Sequence, residues 1–321
     1  MHNQFLSWFF VCASFACLSL RAQSPGALSA PGSIAGGAEQ VLAARVTGTV
    51  QVTLNGQTTP LRTDDRVPQA AKIVTRANSS VVLVFSNGAT TQLGSDTELI
   101  IEEFLQDPFA STVRVAELTE EPSRSRTRLS LNRGELVGNV KKLKHAEGSS
   151  FTVSTPVGAA GIRGTTFRIV FRPIGAGQPF GALAQPFQFS ITTLEGDVGF
   201  QQGTPGVPFT GTATTQVPDP TTTPVTGTTT LPIIGVPTGQ EISLTVTVTR
   251  NPAGQLVVVR APTVNGTLPI TPANAAQVAQ AAQQLIGAVN TTSFAPPPPT
   301  NLTPPQPTPQ APRTTPLGGE R

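Results

Sequence analysis

The sequence predicts an all-β fold: a twisted β-sandwich or solenoid-like roll, with one peripheral helix and a disordered proline-rich tail. Three observations lead there. The composition is rich in turn formers, with 30 Gly and 31 Pro among 321 residues, and poor in charge at 12%. Short apolar or alternating runs recur along the chain, separated by turn dipeptides such as Asn55-Gly56 and Asn87-Gly88. Glu and Lys are too sparse for helical bundles or coiled coils, whereas Val and Thr suit pleated, half-buried surfaces.

The chain opens with an uncharged run, Phe5 to Leu20, followed by Leu20-Arg21-Ala22 and Gln23-Ser24-Pro25. The run is shorter than the ~20 residues of a membrane span. With a small residue at Ala22, it reads as a signal peptide over 1–22 that is cleaved after Ala22. An uncleaved anchor is the alternative. Cys12 and Cys17 both lie in this run, so the mature chain carries no thiol. That excludes a disulfide scaffold, a cysteine nucleophile, an iron–sulfur cluster and a thiolate zinc site. No later segment is apolar and long enough to span a membrane, so the mature chain is expected to be exported, periplasmic or secreted.

Residues 23–40 read as a flexible leader and 41–262 as one β-domain. Val46, Val50, Val52 and Leu54 are placed on one face of a first run. Val81 to Phe85 is apolar on both faces, as in a strand covered on both sides. Leu99–Ile101, Val113–Val115, Leu129–Leu131, Phe151–Val153, Phe167–Phe171 and Phe187–Ile191 continue the series. Ile242, Leu244, Val246 and Val248 alternate with Ser and Thr, and Leu256 to Val259 is the expected partner strand. Gly203 to Gly239 holds thirteen Thr and one charge, Asp219; it reads as an inserted loop or loose ribbon. Residues 263–290 read as a linker and a short helix, with Thr271 as cap, Pro272 in the first turn, and Val278, Ala282, Leu285, Ile286 and Val289 at helical spacing. Residues 291–321 form the proline-rich tail.

Catalytic chemistry finds little support. His145 is the only histidine after the signal segment, and it lies among Lys141, Lys142 and Lys144, as in a solvated loop. No Gly-x-Ser-x-Gly elbow, phosphate loop or dinucleotide fingerprint occurs. Asp64-Asp65, Glu102-Glu103, Glu120-Glu121 and Glu195/Asp197 lack metal-loop spacing, and adjacent carboxylates on a strand point to opposite faces. Without Tyr, and with the single Trp at position 8, a sugar-stacking cleft is disfavoured. No catalytic residue, metal ligand or cofactor is therefore expected. The net charge of +3 gives no basis for nucleic-acid binding. Charge is segregated, however: Asp96 to Glu121 is acidic, and Arg124, Arg126, Arg128, Arg133, Lys141, Lys142 and Lys144 follow. Two readings stand side by side: cross-strand pairing with the acidic stretch, or a basic ridge for an envelope protein or anionic polymer.

The stretch Thr155-Pro156-Val157-Gly158-Ala159-Ala160-Gly161-Ile162-Arg163-Gly164-Thr165-Thr166-Phe167 resembles the signature of the FecR domain, "TPxAxxxVRGTxF". Further stretches fit in order: Ile73–Thr75 through Ser80–Gly88, Leu131–Leu136, Leu194–Val198, and Thr238–Glu241 within Gly235–Val246. The resemblance covers roughly 40–250, with Thr155, Pro156, Arg163, Gly164, Thr165 and Phe167 as signature residues. It implies a periplasmic β-domain of the kind that, in the ferric-citrate regulator, hears an outer-membrane transporter and passes the signal through one membrane helix to a sigma-factor control segment. This sequence resembles the exported domain alone. The Thr-rich insertion and the Pro-rich tail depart from the pattern. The function expected is a non-catalytic exported binding or sensing module; the alternative is a structural or surface-assembly protein with a β-scaffold.

The glycine-rich passage from Val157 to Gly164 suits close backbone approach. Gly164 is expected to adopt a conformation, or need a clearance, that a β-carbon forbids. Arg163 is expected to be held by carbonyls or by a carboxylate such as Glu195.

Overall fold

A computed structural model describes Ile34, Gly37 and residues 39–175, 184–205 and 233–297. The described residues lie within a single compact unit that begins at Ile34. The strands are β1 (Val41–Thr47), β2 (Val50–Leu54), β3 (Gln57–Pro60), β4 (Lys72–Thr75), β5 (Ser80–Phe85), β6 (Thr90–Leu93), β7 (Glu98–Gln106), β8 (Val113–Arg114), β9 (Ser125–Asn139), β10 (Ser150–Thr155), β11 (Gly158–Pro173), β12 (Gln185–Gln202), β13 (Ile233–Pro237), β14 (Gln240–Arg250), β15 (Leu256–Arg260), β16 (Leu268–Pro269) and β17 (Ser293–Phe294), with helix α1 at Pro272–Val289. The predicted all-β fold is thus observed.

Fifteen strands form one hydrogen-bonded sheet, while β17 pairs with β8. The sheet makes two facing layers because its longest strands bend and serve both. The first half of β9 pairs with β7 and, in parallel, with β10; its second half pairs with β6 and with the second half of β11. Likewise β11 pairs with β10 before Arg163 and with β9 after Thr165. One layer therefore runs β3-β2-β4-β7-β9-β10-β11-β12-β13. The other runs β1-β5-β6-β9-β11-β12-β14-β15.

The main core lies between these layers. Phe85 of the second layer meets Phe104 and Phe151 of the first, edge to face, at 5.2 and 6.4 Å; Phe151 meets Phe167 across the layers at 6.5 Å. Such ring pairs add about 0.5–1.5 kcal/mol each beyond area burial. β5 is covered on both sides as its sequence predicts: Val81, Leu83 and Phe85 enter this core, and Val82 and Val84 enter a second one beneath α1.

Thr271 caps α1, its hydroxyl accepting from the Asn274 amide at 3.3 Å. Val278, Leu285, Ala288 and Val289 are buried, but Ile286 is 60% exposed, contrary to the spacing argument. At 3.6 residues per turn, Ile286 and Ala288 lie about 80° to either side of the Val278 line. The sheet covers the Ala288 side.

Three further expectations are corrected. Val46 and Val50 do not share a strand: the chain changes layers at Gly48–Thr49, where the Thr49 amide donates to the Ser79 hydroxyl at 2.9 Å. The end of the segment read as a loop or loose ribbon is a regular strand, because Ile233–Pro237 pairs in register with Asp197–Gln201. The Pro-rich tail begins later than residue 291, because Phe294 is buried beside Val113 and Val115 while β17 pairs with β8. The signal segment, residues 206–232 of the insertion and residues 298–321 lie outside the described residues.

Candidate functional site

The signature residues do not converge on one spot; they hold the two ends of the first half of β11. At one end Thr155 and Gly158 close a two-residue turn. Pro156 occupies the position that fixed φ favours. The Thr155 hydroxyl donates to the Gly158 carbonyl at 3.0 Å and accepts from the Val157 and Gly158 amides. At the other end Arg163-Gly164-Thr165 breaks the β11–β12 register, and the strand passes into the second layer.

Gly164 has φ +56° and Gly196, facing it on β12, has φ +72°. A β-carbon on Gly196 would stand 2.5 Å from the Gly164 carbonyl, and one on Gly164 would stand 3.3 Å from Lys142 Cα. Two glycines let three backbone segments pass here. The Thr165 hydroxyl donates to the Glu195 carbonyl, the Val140 amide to the Thr165 carbonyl at 2.9 Å, and the Thr238 hydroxyl to the Gly196 carbonyl at 3.0 Å. Phe167 follows, fully buried over Gly138, where a β-carbon would stand 2.6 Å from its ring.

Arg163 is not buried as expected but half-exposed. Glu195, the carboxylate offered as one partner for it, accepts from the Thr166 hydroxyl at 3.4 Å. The Arg163 charge acts on His145, whose imidazole is held below its ordinary pKa by burial first and then by that charge, against the Ser149 carbonyl contact.

The two charged stretches meet across β7 and β9. Arg124 pairs with Asp107 at 2.7 Å, and Arg126 and Arg128 share Glu103 at 3.6 and 3.0 Å. Arg133 stands opposite Glu98 in the ladder. Lys141, Lys142 and Lys144 lie beyond β9 at the rim of the bend. Lys141 is half-buried, and burial holds its pKa below the usual value.

Two carboxylates take roles that the sequence reading did not give them, Glu135 passing without comment and Glu121 read only as half of a pair lacking metal spacing. Glu135 accepts from Arg168 Nε at 2.6 Å and also from Arg172. Burial would raise its pKa, but the hydrogen bonds and charges of Arg168 and Arg172 outweigh this and lower it. Glu121 is 1% exposed; it accepts from the Ser125 hydroxyl at 2.5 Å and the Lys144 amide at 2.7 Å. Burial raises its pKa against those bonds. For Glu135 the partners lie far along the chain, and for Glu121, although Ser125 is four residues away, burial and the Lys144 contact come only with the fold. Among the described residues no three His, Cys, Asp or Glu side chains gather in a metal-binding arrangement. Nor is any helix among them long and apolar enough to cross a membrane.

Fold and bend together define a two-layer β-roll in which Thr155 closes a turn, Gly164 and Thr165 mark the bend and Phe167 fills the core. Residues 71–199, from the start of β4 into β12, match the family model described as FecR protein. Over those residues the chain carries a FecR-type domain. Two solved structures similar to it are crystal structures, at 2.50 and 1.65 Å resolution, of a proposed anti-sigma factor from Parabacteroides distasonis. Their identities are 11% and 12%, with a TM-score of 0.30 and 58% of each chain covered in both cases. The chain thus spans little more than half the length of those proteins. No curated protein matches the chain.

Proposed function

We propose that this chain is an exported FecR-type binding or sensing module of the bacterial cell envelope, working by protein recognition without catalysis. The FecR match over 71–199 carries the reading. The architecture agrees with it: Thr155, Gly164, Thr165 and Phe167 hold turns and core, so their chemistry goes into shape. The uncharged run ending near Ala22 supports export. Arg124, just before β9, and Arg126 and Arg128 within it are paired with acids, which favours the cross-strand reading of the charge pattern over a continuous ridge. A surface for an acidic partner then narrows to Lys141, Lys142 and Lys144.

Photo-cross-linking from position 142 in native cells, followed by mass spectrometry, tests the reading. It expects one envelope protein in the adduct. Adducts confined to cell-wall polymer would replace sensing with the structural alternative. N-terminal sequencing of the exported protein should begin at Gln23; a Met1 start in a membrane fraction would establish an anchor instead.

A further inference from the structure

The layers leave strand edges, and most are blunted. Beside β1 run residues 61–67, with the Ala43 amide donating to the Asp65 carbonyl at 2.9 Å and the Val67 amide to the Val41 carbonyl at 2.9 Å. β3 is exposed, polar and ends in Pro60. β13 ends in Pro237, which has no amide to donate. Each device discourages strand addition.

β15 has none of these. It reads Leu256-Val257-Val258-Val259-Arg260, without Pro or Lys, and pairs only with β14. Among the described residues nothing pairs with its outer side. Val258 is fixed in the main core and Leu256 packs against it, so the strand is held in place. A register shift between Thr247 and Val248 makes Val259 the extra residue, 43% exposed. That bulge limits the regular edge to Leu256–Val258, enough for a short added strand but too short for extended stacking.

Charge selects the occupant. Arg250 stands at the turn end of the β14–β15 hairpin and Arg260 at the other end, and no acidic residue occurs between Glu241 and Glu320. Antiparallel pairing with a second copy would bring Arg260 toward the partner's corresponding arginine-flanked end, a like-charge meeting. An extended segment from another protein, apolar with acidic ends, meets no such cost.

We propose that the outer edge of β15 is a docking edge for an extended, acidic-ended β-segment of a partner protein, added by main-chain hydrogen bonding. This rests on the recognition role proposed above and names a surface for it. The test uses purified full-length chain and two fluorescein-labelled peptides, EVTVTVE and KVTVTVK, read by anisotropy at low salt. EVTVTVE should bind about tenfold more tightly than KVTVTVK, a difference of about 1.4 kcal/mol. Val259→Asp should weaken EVTVTVE about tenfold, and Arg260→Glu should reverse the peptide preference. If Val259→Asp lowers the melting temperature, Arg260→Glu, at an exposed end, decides alone. Absence of binding, equal binding of both peptides, or EVTVTVE binding unchanged by Arg260→Glu would overturn the proposal. So would a concentration-dependent dimer in sedimentation that Val259→Asp abolishes. These failures leave the sensing reading standing, because the cross-link from position 142 tests it separately.

Discussion

Gly164 and Gly196 show how single residues set the bend. Gly164→Val places a branched side chain on a backbone at φ +56° and against Lys142. A cost of about 2–4 kcal/mol is expected from chemical denaturation. Arg163→Ala should cost less than about 1 kcal/mol, because the half-exposed side chain keeps access to water. If both variants lose equal stability, Arg163 is a structural anchor after all. Glu135 and Glu121 pull stability in opposite directions with pH. Glu135 has a lowered pKa, so its contribution is present above the ordinary value near 4.5 and is lost as pH falls through the folded value. Glu135→Gln should therefore destabilise at neutral pH by about 2–3 kcal/mol, leaving Arg168 short of a charge partner, with the difference fading at acid pH. Glu121 has a raised pKa, so its ionised form opposes folding, and protonation relieves this as pH falls through the folded value toward 4.5. Glu121→Gln should flatten that rise. Urea midpoints from pH 7 to pH 3 check both signs; parallel profiles for wild type and Glu121→Gln would contradict the second.

At the scale of elements, α1 tests whether the second core matters. The helix has no charged residue, so packing must hold it. Leu285→Ala removes a side chain buried with Val82, Val84 and Val137 and should cost about 2–4 kcal/mol. Ile286→Ala, one residue along but exposed, should fall within about 0.5 kcal/mol of wild type. Similar losses in thermal unfolding would mean that Ile286 is covered in solution. The helix was legible from Thr271, Pro272 and the apolar spacing. Its buried face was not, since two flanks fitted the pattern equally and only the sheet chose between them.

At the scale of the whole molecule, the β12–β13 pairing brings Gln201 and Ile233 side by side, so a connection between them need span only neighbouring strands. Loop-closure entropy changes slowly with length. Replacing 206–232 by a short Gly/Ser linker, with β13 kept, should move the melting temperature by no more than a degree or two. A fall of ten degrees would show that the segment contributes to the core.

The main apolar strands from Val81 to Val248, the double-faced Val81–Phe85 run, the helix cap and the glycine requirement at position 164 were determined by the sequence alone. Each follows from local periodicity or backbone sterics, which act over a few residues. Only the tertiary structure decided that β9, β11 and β12 each serve two layers, and that Val46 and Val50 part company at Gly48. It also paired Arg124 with Asp107 and Arg126 and Arg128 with Glu103, joined Glu135 to Arg168, and, among the described residues, left the outer edge of β15 unpaired. Those outcomes depend on which distant segments become neighbours, and side-chain alternation is the same for a straight strand as for one that bends midway.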